Sequence, residues 1–277
     1  LSSANPAGDP GDTADRDYTF SGSGYIDDLS IWNTALSQSQ IQDYMHKVLA
    51  GNESNLVAYY KMSNGTGTSL TDNSSNSNTG TLTNMDNSDW VTSQAPIGNL
   101  GSSYKTDVEA VWSVSGTSES DASDGLTMTV GSALSTGNFA VFGNNNTNET
   151  STSDLGSVAS TIRTARIWQV DESGTVAANI KIDISDATGN AGQSGTASNY
   201  RLLYRSGTTG DFSSVALGSS ISGDVITFNS VSVQDGYYAL GDDKSSDASL
   251  PVELTSFELL ETRNDVITLQ WITESEV

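Results

Sequence analysis

The 277-residue chain contains no cysteine, one histidine, four prolines and only eleven lysines and arginines. Each scarcity closes off some chemistry. Without cysteine there are no disulfides and no thiolate metal sites, so stability must come from burying apolar surface. The lone histidine, His46, lies among apolar positions of a helical segment with no Ser-Asp pair beside it in sequence, which argues against a histidine relay. It is expected as a surface or half-buried helix residue. Against 34 Asp and Glu the few cations leave a formal net charge of −23. Such a surface repels phosphate backbones and makes nucleic acid an unsuitable partner. No apolar run approaches the roughly 20 residues that cross a bilayer as a helix, so no transmembrane segment is expected.

What is abundant points one way. The 26 glycines and long Ser, Thr, Asn and Asp runs suit turns, while the 35% hydrophobic residues recur in short stretches. The expected fold is all-β: antiparallel β-sandwich or jelly-roll modules in series with one short helix. Three segments are expected, at residues 1–102, 103–244 and 245–277.

In the first, Tyr25 to Trp32 reads as a strand with apolar residues on both faces, hence covered by two layers. Ser37 and Gln40 form a capping box for a helix whose apolar stripe is Ile41, Tyr44, Met45, Val48 and Leu49, ended by Gly51. Leu56 to Met62 and Thr81 to Thr83 read as strands around the turn run TDNSSNSNTG. This order, "GYIDDLSIWNTALS", helix, "LVAYYKM", "GTGTSLTDNSSNSNTGTL" and Trp90, resembles bacterial laminin-G-like, concanavalin-type jelly rolls over residues 20–95. The resemblance places most of such a domain, on the order of 150 residues, before Leu1. It also implies binding of glycans or protein ligands, often with structural Ca2+. Asp28, Asp72, Asn73 and Asn76 are the candidate calcium ligands, since tight loops of Asp and Asn supply oxygens. EF-hand spacing is not met, with Ser77 and Thr83 at the sixth and twelfth positions from Asp72. The same side chains also cap their own turns, as Asp and Asn usually do. Tyr59, Tyr60 and Trp90 are candidate sugar-stacking residues that fit core positions as well.

In the second segment Ala110, Trp112 and Val114 alternate, as do Leu126, Met128 and Val130, and Ile180, Ile182 and Ile184. Trp168 and Phe212 are expected in its core. "RIWQVDESGTV", a "DISDATG" turn, "YRLLYRSGTTGDF" and "DGYYALGD" resemble a β-sandwich module of long surface proteins of the Bacteroidetes.

The third segment follows an acidic, Ser-rich joint at Asp242 to Ser249 and reads as two strands, Val252 to Leu260 and Val266 to Thr273. Pro251, Val252, Glu253, Leu254, Thr255, Phe257 and Trp271 resemble the opening of the sorting domain recognised by the type IX secretion system. That domain would need about 50 further residues to complete its sandwich. The resemblances together imply a non-enzymatic adhesin or structural protein, secreted or on the outer surface of a Gram-negative bacterium. Its expected partners are the type IX machinery and glycans or other surface proteins. The alternative is a carbohydrate-binding and export tail of a large secreted hydrolase.

Overall fold

Ala178, Ile180 and Ile182 alternate with Asn179 and Lys181, and a strand sends such sets to opposite faces. The computed structural model bears this out. It describes residues 24–112, 118–121, 125–189, 196–243, 254–263 and 266–273, with backbone alone for 118–121, 254–263 and 266–273. The described chain is mostly strand, every strand pair is antiparallel, and one helix reaches seven residues. No helix among the described residues is long and apolar enough to cross a membrane. Two compact units are present, Leu1–Asn33 with Gly51–Val91, and Thr34–Ala50 with Thr92–Val277.

In the smaller unit β1 (Leu29–Trp32) pairs with β2 (Leu56–Tyr60), and β3 (Ser69–Leu70) with β4 (Gly80–Thr81). β2 is buried through Leu56, Ala58 and Tyr59. β1 is not covered on both faces as expected: Leu29 is 42% and Ile31 45% exposed. The run also starts late, because Asp28 takes a positive φ of 47° and leaves Tyr25 and Ile26 exposed ahead of the strand. Positive φ at Met62 and Asn84 likewise follows the ends of β2 and β4, so both strands are shorter than the apolar pattern implied.

The larger unit begins with α1 (Gln38–Tyr44). Its capping box is as expected: Gln40 N–H donates to Ser37 Oγ at 3.2 Å, and Ser37 N–H to Gln40 Oε1 at 2.9 Å. The helix stops a turn early, at Met45, so Val48 and Leu49 lie beyond it and Gly51 is not its cap. Ile41 and Met45 are exposed, whereas Leu49 of the same stripe, beyond the helix, is buried. Gly51 does take a positive φ of 89°, but for another reason: within the smaller unit, a Cβ there would lie 2.1 Å from the Asn73 carbonyl oxygen.

Then follow β5 (Thr106–Trp112), β6 (Ser118–Asp121), β7 (Leu126–Val130), β8 (Phe139–Asn144), β9 (Thr150–Ser151), β10 (Ile162–Thr164), β11 (Trp168–Ser173) and β12 (Ala177–Asp183). After α2 (Ile184–Thr188) come β13 (Tyr200–Arg205), β14 (Ser213–Leu217), β15 (Ser220–Ser222), β16 (Val225–Ser232) and β17 (Gly236–Asp242). One sheet has eight strands, ordered β14-β13-β17-β11-β8-β5 with β10 on β17 and β9 on β10. The other has five, β15-β16-β12-β7-β6. Between them lies the main core, with Phe142, Trp168, Leu202 and Tyr238 from the first sheet and Met128, Ile180, Ile182 and Phe228 from the second. The outer face of the eight-stranded sheet is covered too. Ile167, Leu203, Phe212 and Tyr237 cluster on part of it, and Leu100, Val108, Ala110 and Val141 on another.

Two local readings differ from the structure. "DISDATG" is not a simple turn but α2, capped by the Asp183 carboxylate on Asp186 N–H at 3.1 Å and closed by Gly189 in the left-handed region. Ile184 therefore belongs to that helix, while Val114 lies outside the described residues. The acidic joint starts later than its composition implied: Asp242 is fully buried at the end of β17, and Asp243 N–H donates to Asn199 O at 3.2 Å. Residues 244–249 lie outside the described set. Finally β18 (Leu254–Arg263) and β19 (Val266–Thr273) form a two-stranded sheet of their own.

Since β12 alternates between a buried and an open face, Ile182→Ala should cost about 3 kcal/mol and Lys181→Ala less than about 0.5 kcal/mol. Chemical denaturation of the two variants checks this, and equal costs would contradict the assigned faces.

Candidate functional site

The expected calcium loop is an Asx-rich turn closed on itself. Asp72 Oδ1 accepts from Tyr59 N–H and Ser74 N–H, both at 2.8 Å. Asp72 Oδ2 accepts from Ser74 Oγ at 2.8 Å and Asn78 N–H at 2.6 Å. Burial alone would raise this carboxyl, but the four hydrogen bonds outweigh it and hold it at about 2. Asn76 Nδ2 donates to the carbonyls of Leu56 and Val57, and Asn73 N–H to Tyr59 O. Asp28 lies at the other end of the same tyrosine, accepting from the Tyr59 hydroxyl. Burial pushes the Asp28 carboxyl up, with that hydrogen bond pulling the other way. The four residues thus bind backbone and Tyr59 rather than converging on one point. Among the described residues no three His, Asp or Glu side chains form a group able to hold a metal ion.

The aromatic residues do not make a platform. Tyr59 is 1% exposed, a core residue. Tyr60 is half-buried and donates its hydroxyl to Asn78 O, closing the same turn. Trp90 is half-buried, its indole N–H directed at Gly67 O at 3.2 Å.

His46 is not a surface residue. It lies just beyond α1, 4% exposed, with Nδ1 2.9 Å from Pro96 O and its ring 4.9 Å from that of Trp112. The carbonyl partner places the proton on Nδ1, and burial lowers the pKa, so the ring packs as a neutral group.

One charged cluster escapes sequence reading. Arg163 and Arg205 are both buried and meet over Phe212, their guanidinium carbons 5.2 and 4.4 Å from the ring centre. Asp154 Oδ2 accepts from both, at 3.1 and 3.2 Å. Arg163 also donates to Ser153 O and Thr164 O, and Arg205 to Gly210 O. Loops joining the strands of the eight-stranded sheet are thereby pinned to its outer face. These cations hold structure, as planar guanidiniums on an aromatic face do well.

A cleft also lies at the open margin between the two sheets, about 290 Å³ in volume, lined among others by Tyr204, Val215, Asn229, Ser230, Gln234 and Tyr238. None of these was singled out by pattern.

Of the sorting-signal residues, Pro251, Val252 and Glu253 lie outside the described set. Leu254, Thr255 and Phe257 lie on β18 and Trp271 on β19, where Phe257 and Trp271 are cross-strand partners in register.

In comparison with known proteins, a family described as a domain of unknown function (DUF8202) matches residues 118–237, from β6 into β17 and under half of the chain. No curated protein and no solved structure matches the chain.

Two outcomes follow from the charges. Asp72 is depressed in the folded state, so its contribution is full above pH ~4 and is lost as pH falls towards about 2. Asp72→Asn should lower stability by about 1 kcal/mol at pH 7 and flatten that acid limb, while EGTA leaves the wild-type Tm unchanged. A Tm raised by calcium in the wild type but not in the variant would instead establish a bound cation. Asp154→Asn leaves two buried guanidiniums without a counter-charge and should cost about 2 kcal/mol, the half-open carboxylate reducing the usual buried-pair penalty.

Proposed function

We propose that the chain is part of a non-enzymatic protein of β-modules, secreted or displayed on the outer surface of a Gram-negative bacterium and exported by the type IX secretion system. The observation that carries the reading is the hairpin β18-β19. The segment whose sequence resembles a type IX sorting signal folds as its own two-stranded sheet, hydrogen-bonded to no other described strand. A signal that machinery must recognise and detach is best placed on an element outside the sandwich it exports. A hairpin alone is also marginal in water and presents two strand edges for pairing.

The remaining features support adhesion or a structural role over chemistry. The conspicuous charged groups cap turns or hold loops on the eight-stranded sheet, and the net charge of −23 keeps a surface module dispersed. Resemblance of residues 20–95 to laminin-G-like jelly rolls and of the larger unit to a surface sandwich module points to the same class. Glycans or other surface proteins are the fitting ligands.

Mass spectrometry of the native protein tests the reading through its intact mass and terminal peptides. The mature C-terminus is expected within residues 244–249, with β18-β19 removed. Native surface-attached protein that retains residues 254–273 would contradict processing as a sorting signal. A catalytic domain in the same polypeptide would turn these modules into the binding and export tail of a hydrolase.

A further inference from the structure

The cleft of the larger unit is built from two irregularities, one in each sheet. In β14, Leu202 pairs with Ala216 and Leu203 with Ser214, so Val215 is an extra residue without a partner across the ladder. In β16, Ala178 pairs with Val231 and Ile180 with Phe228, so Asn229 and Ser230 together stand opposite Asn179. Bulges of this kind bend a strand and re-aim its side chains, and they gather beside binding sites. Here all three bulged residues line the same cavity. Ser230 is held at a positive φ of 53°, a conformation a serine seldom takes, by donating its N–H to Asn179 Oδ1 at 2.9 Å. Strain that neighbouring groups hold in place is a mark of a shaped site.

The lining sets the ligand chemistry. Tyr204 and Tyr238 pack at 5.2 Å with planes tilted by 54°. Tyr238 is the buried floor, its hydroxyl shared with the N–H and carbonyl of Gln234. Burial pushes that phenol up to about 12, so it stays neutral. Tyr204 is half-buried, its hydroxyl tied to Asp235 O at 2.8 Å, which fixes the ring. Gly236 makes room for that ring, since a Cβ there would meet it at 2.6 Å. Asn229, Ser230 and Gln234 are exposed at the mouth. No residue lining the cleft carries a formal charge, on a chain of net charge −23.

We propose that this cleft binds one neutral sugar residue of a glycan. A pyranose ring offers an apolar C–H face for Tyr204 and an edge of hydroxyls for the amides of Asn229 and Gln234. Such a mixture of aromatic surface with a few placed polar groups is how small-molecule sites are lined. The volume of about 290 Å³ falls just below the usual range for drug-sized ligands, which suits a single ring. The lack of cationic lining disfavours uronic or sulfated sugars. The inference deepens the surface-binding reading above and moves the glycan site from Tyr59, Tyr60 and Trp90 to the other unit.

The test is calorimetric titration of the full 277-residue chain with neutral tetrasaccharides of glucose, mannose and galactose, and with tetragalacturonate. At least one neutral probe is expected to bind with a Kd below ~10 mM, and the anionic one not. Asn229→Ala, at the exposed mouth, and Tyr204→Leu should each weaken binding by about tenfold, whereas Tyr204→Phe, which keeps the ring, should stay within about twofold. Circular dichroism on each variant confirms folding. Absence of binding by every neutral probe overturns the inference. So does binding unchanged in Asn229→Ala, or displacement of the sugar by a neutral octapeptide. Terminal-peptide mass spectrometry is independent of these titrations. Sugar binding in a protein that keeps its hairpin would retain the cleft and remove the export reading, and the converse result would do the reverse.

Discussion

β17 carries Tyr237 to one face of the eight-stranded sheet and Tyr238 to the other, and both rings are buried in separate clusters. All seven residues of the strand are buried, Gly241 included, where a Cβ would meet Ser160 Oγ at 2.6 Å and the Leu203 side chain at 2.8 Å. A sheet apolar on both sides needs a cover on both sides, and only one can be the facing sheet. The other is made of connecting chain, which brings backbone polar groups and charges with it. The Arg163–Asp154–Arg205 cluster over Phe212 answers that problem, satisfying loop carbonyls from Ser153 to Gly210 while presenting methylenes and ring to the sheet. The five-stranded sheet has no such demand, so β12 shows Lys181 to solvent and reads as plain alternation.

The two sheets part company near β14 and β16. There the ladder on each side admits extra residues, and the edge strand β14 is exposed along nearly its whole length, with Val215 at 45% and Leu217 at 53%. Loss of regularity at this margin opens the cleft, and burial of Tyr238 beneath it ties the cleft to the main core.

Much of this was readable in the residues, for identifiable reasons. Period-two runs such as Leu126-Met128-Val130 became β7 because burial on one face enforces them. Ser37 and Gln40 form the capping box that their spacing announced. TDNSSNSNTG was legible as turns, although nothing in it said that Asp72 would gather four donors. The helix is shorter than its apolar stripe implies, because such a stripe does not reveal whether tertiary contact will bury it. Wholly invisible were groupings set by long connections: Arg205 meets Asp154 across 51 residues of sequence. The bulges leave no signature either, since Ser230 adopts a backbone shape that sequence habitually marks with glycine.

The placement of the cations bears on how the folded chain meets proteases. Arg163, Arg166 and Arg205 are buried, Arg201 and Lys47 are largely covered, Lys61 and Lys105 are half-buried, and among the described side chains Lys181 is the one exposed Lys or Arg. Enzymes that cut after lysine or arginine must seat that side chain in a pocket on an extended backbone. Lys181 sits in the middle of β12, hydrogen-bonded to strands on both sides. Cleavage after Lys181 therefore requires β12 to open, so its rate in trypsin-like digestion should follow the stability of the sandwich.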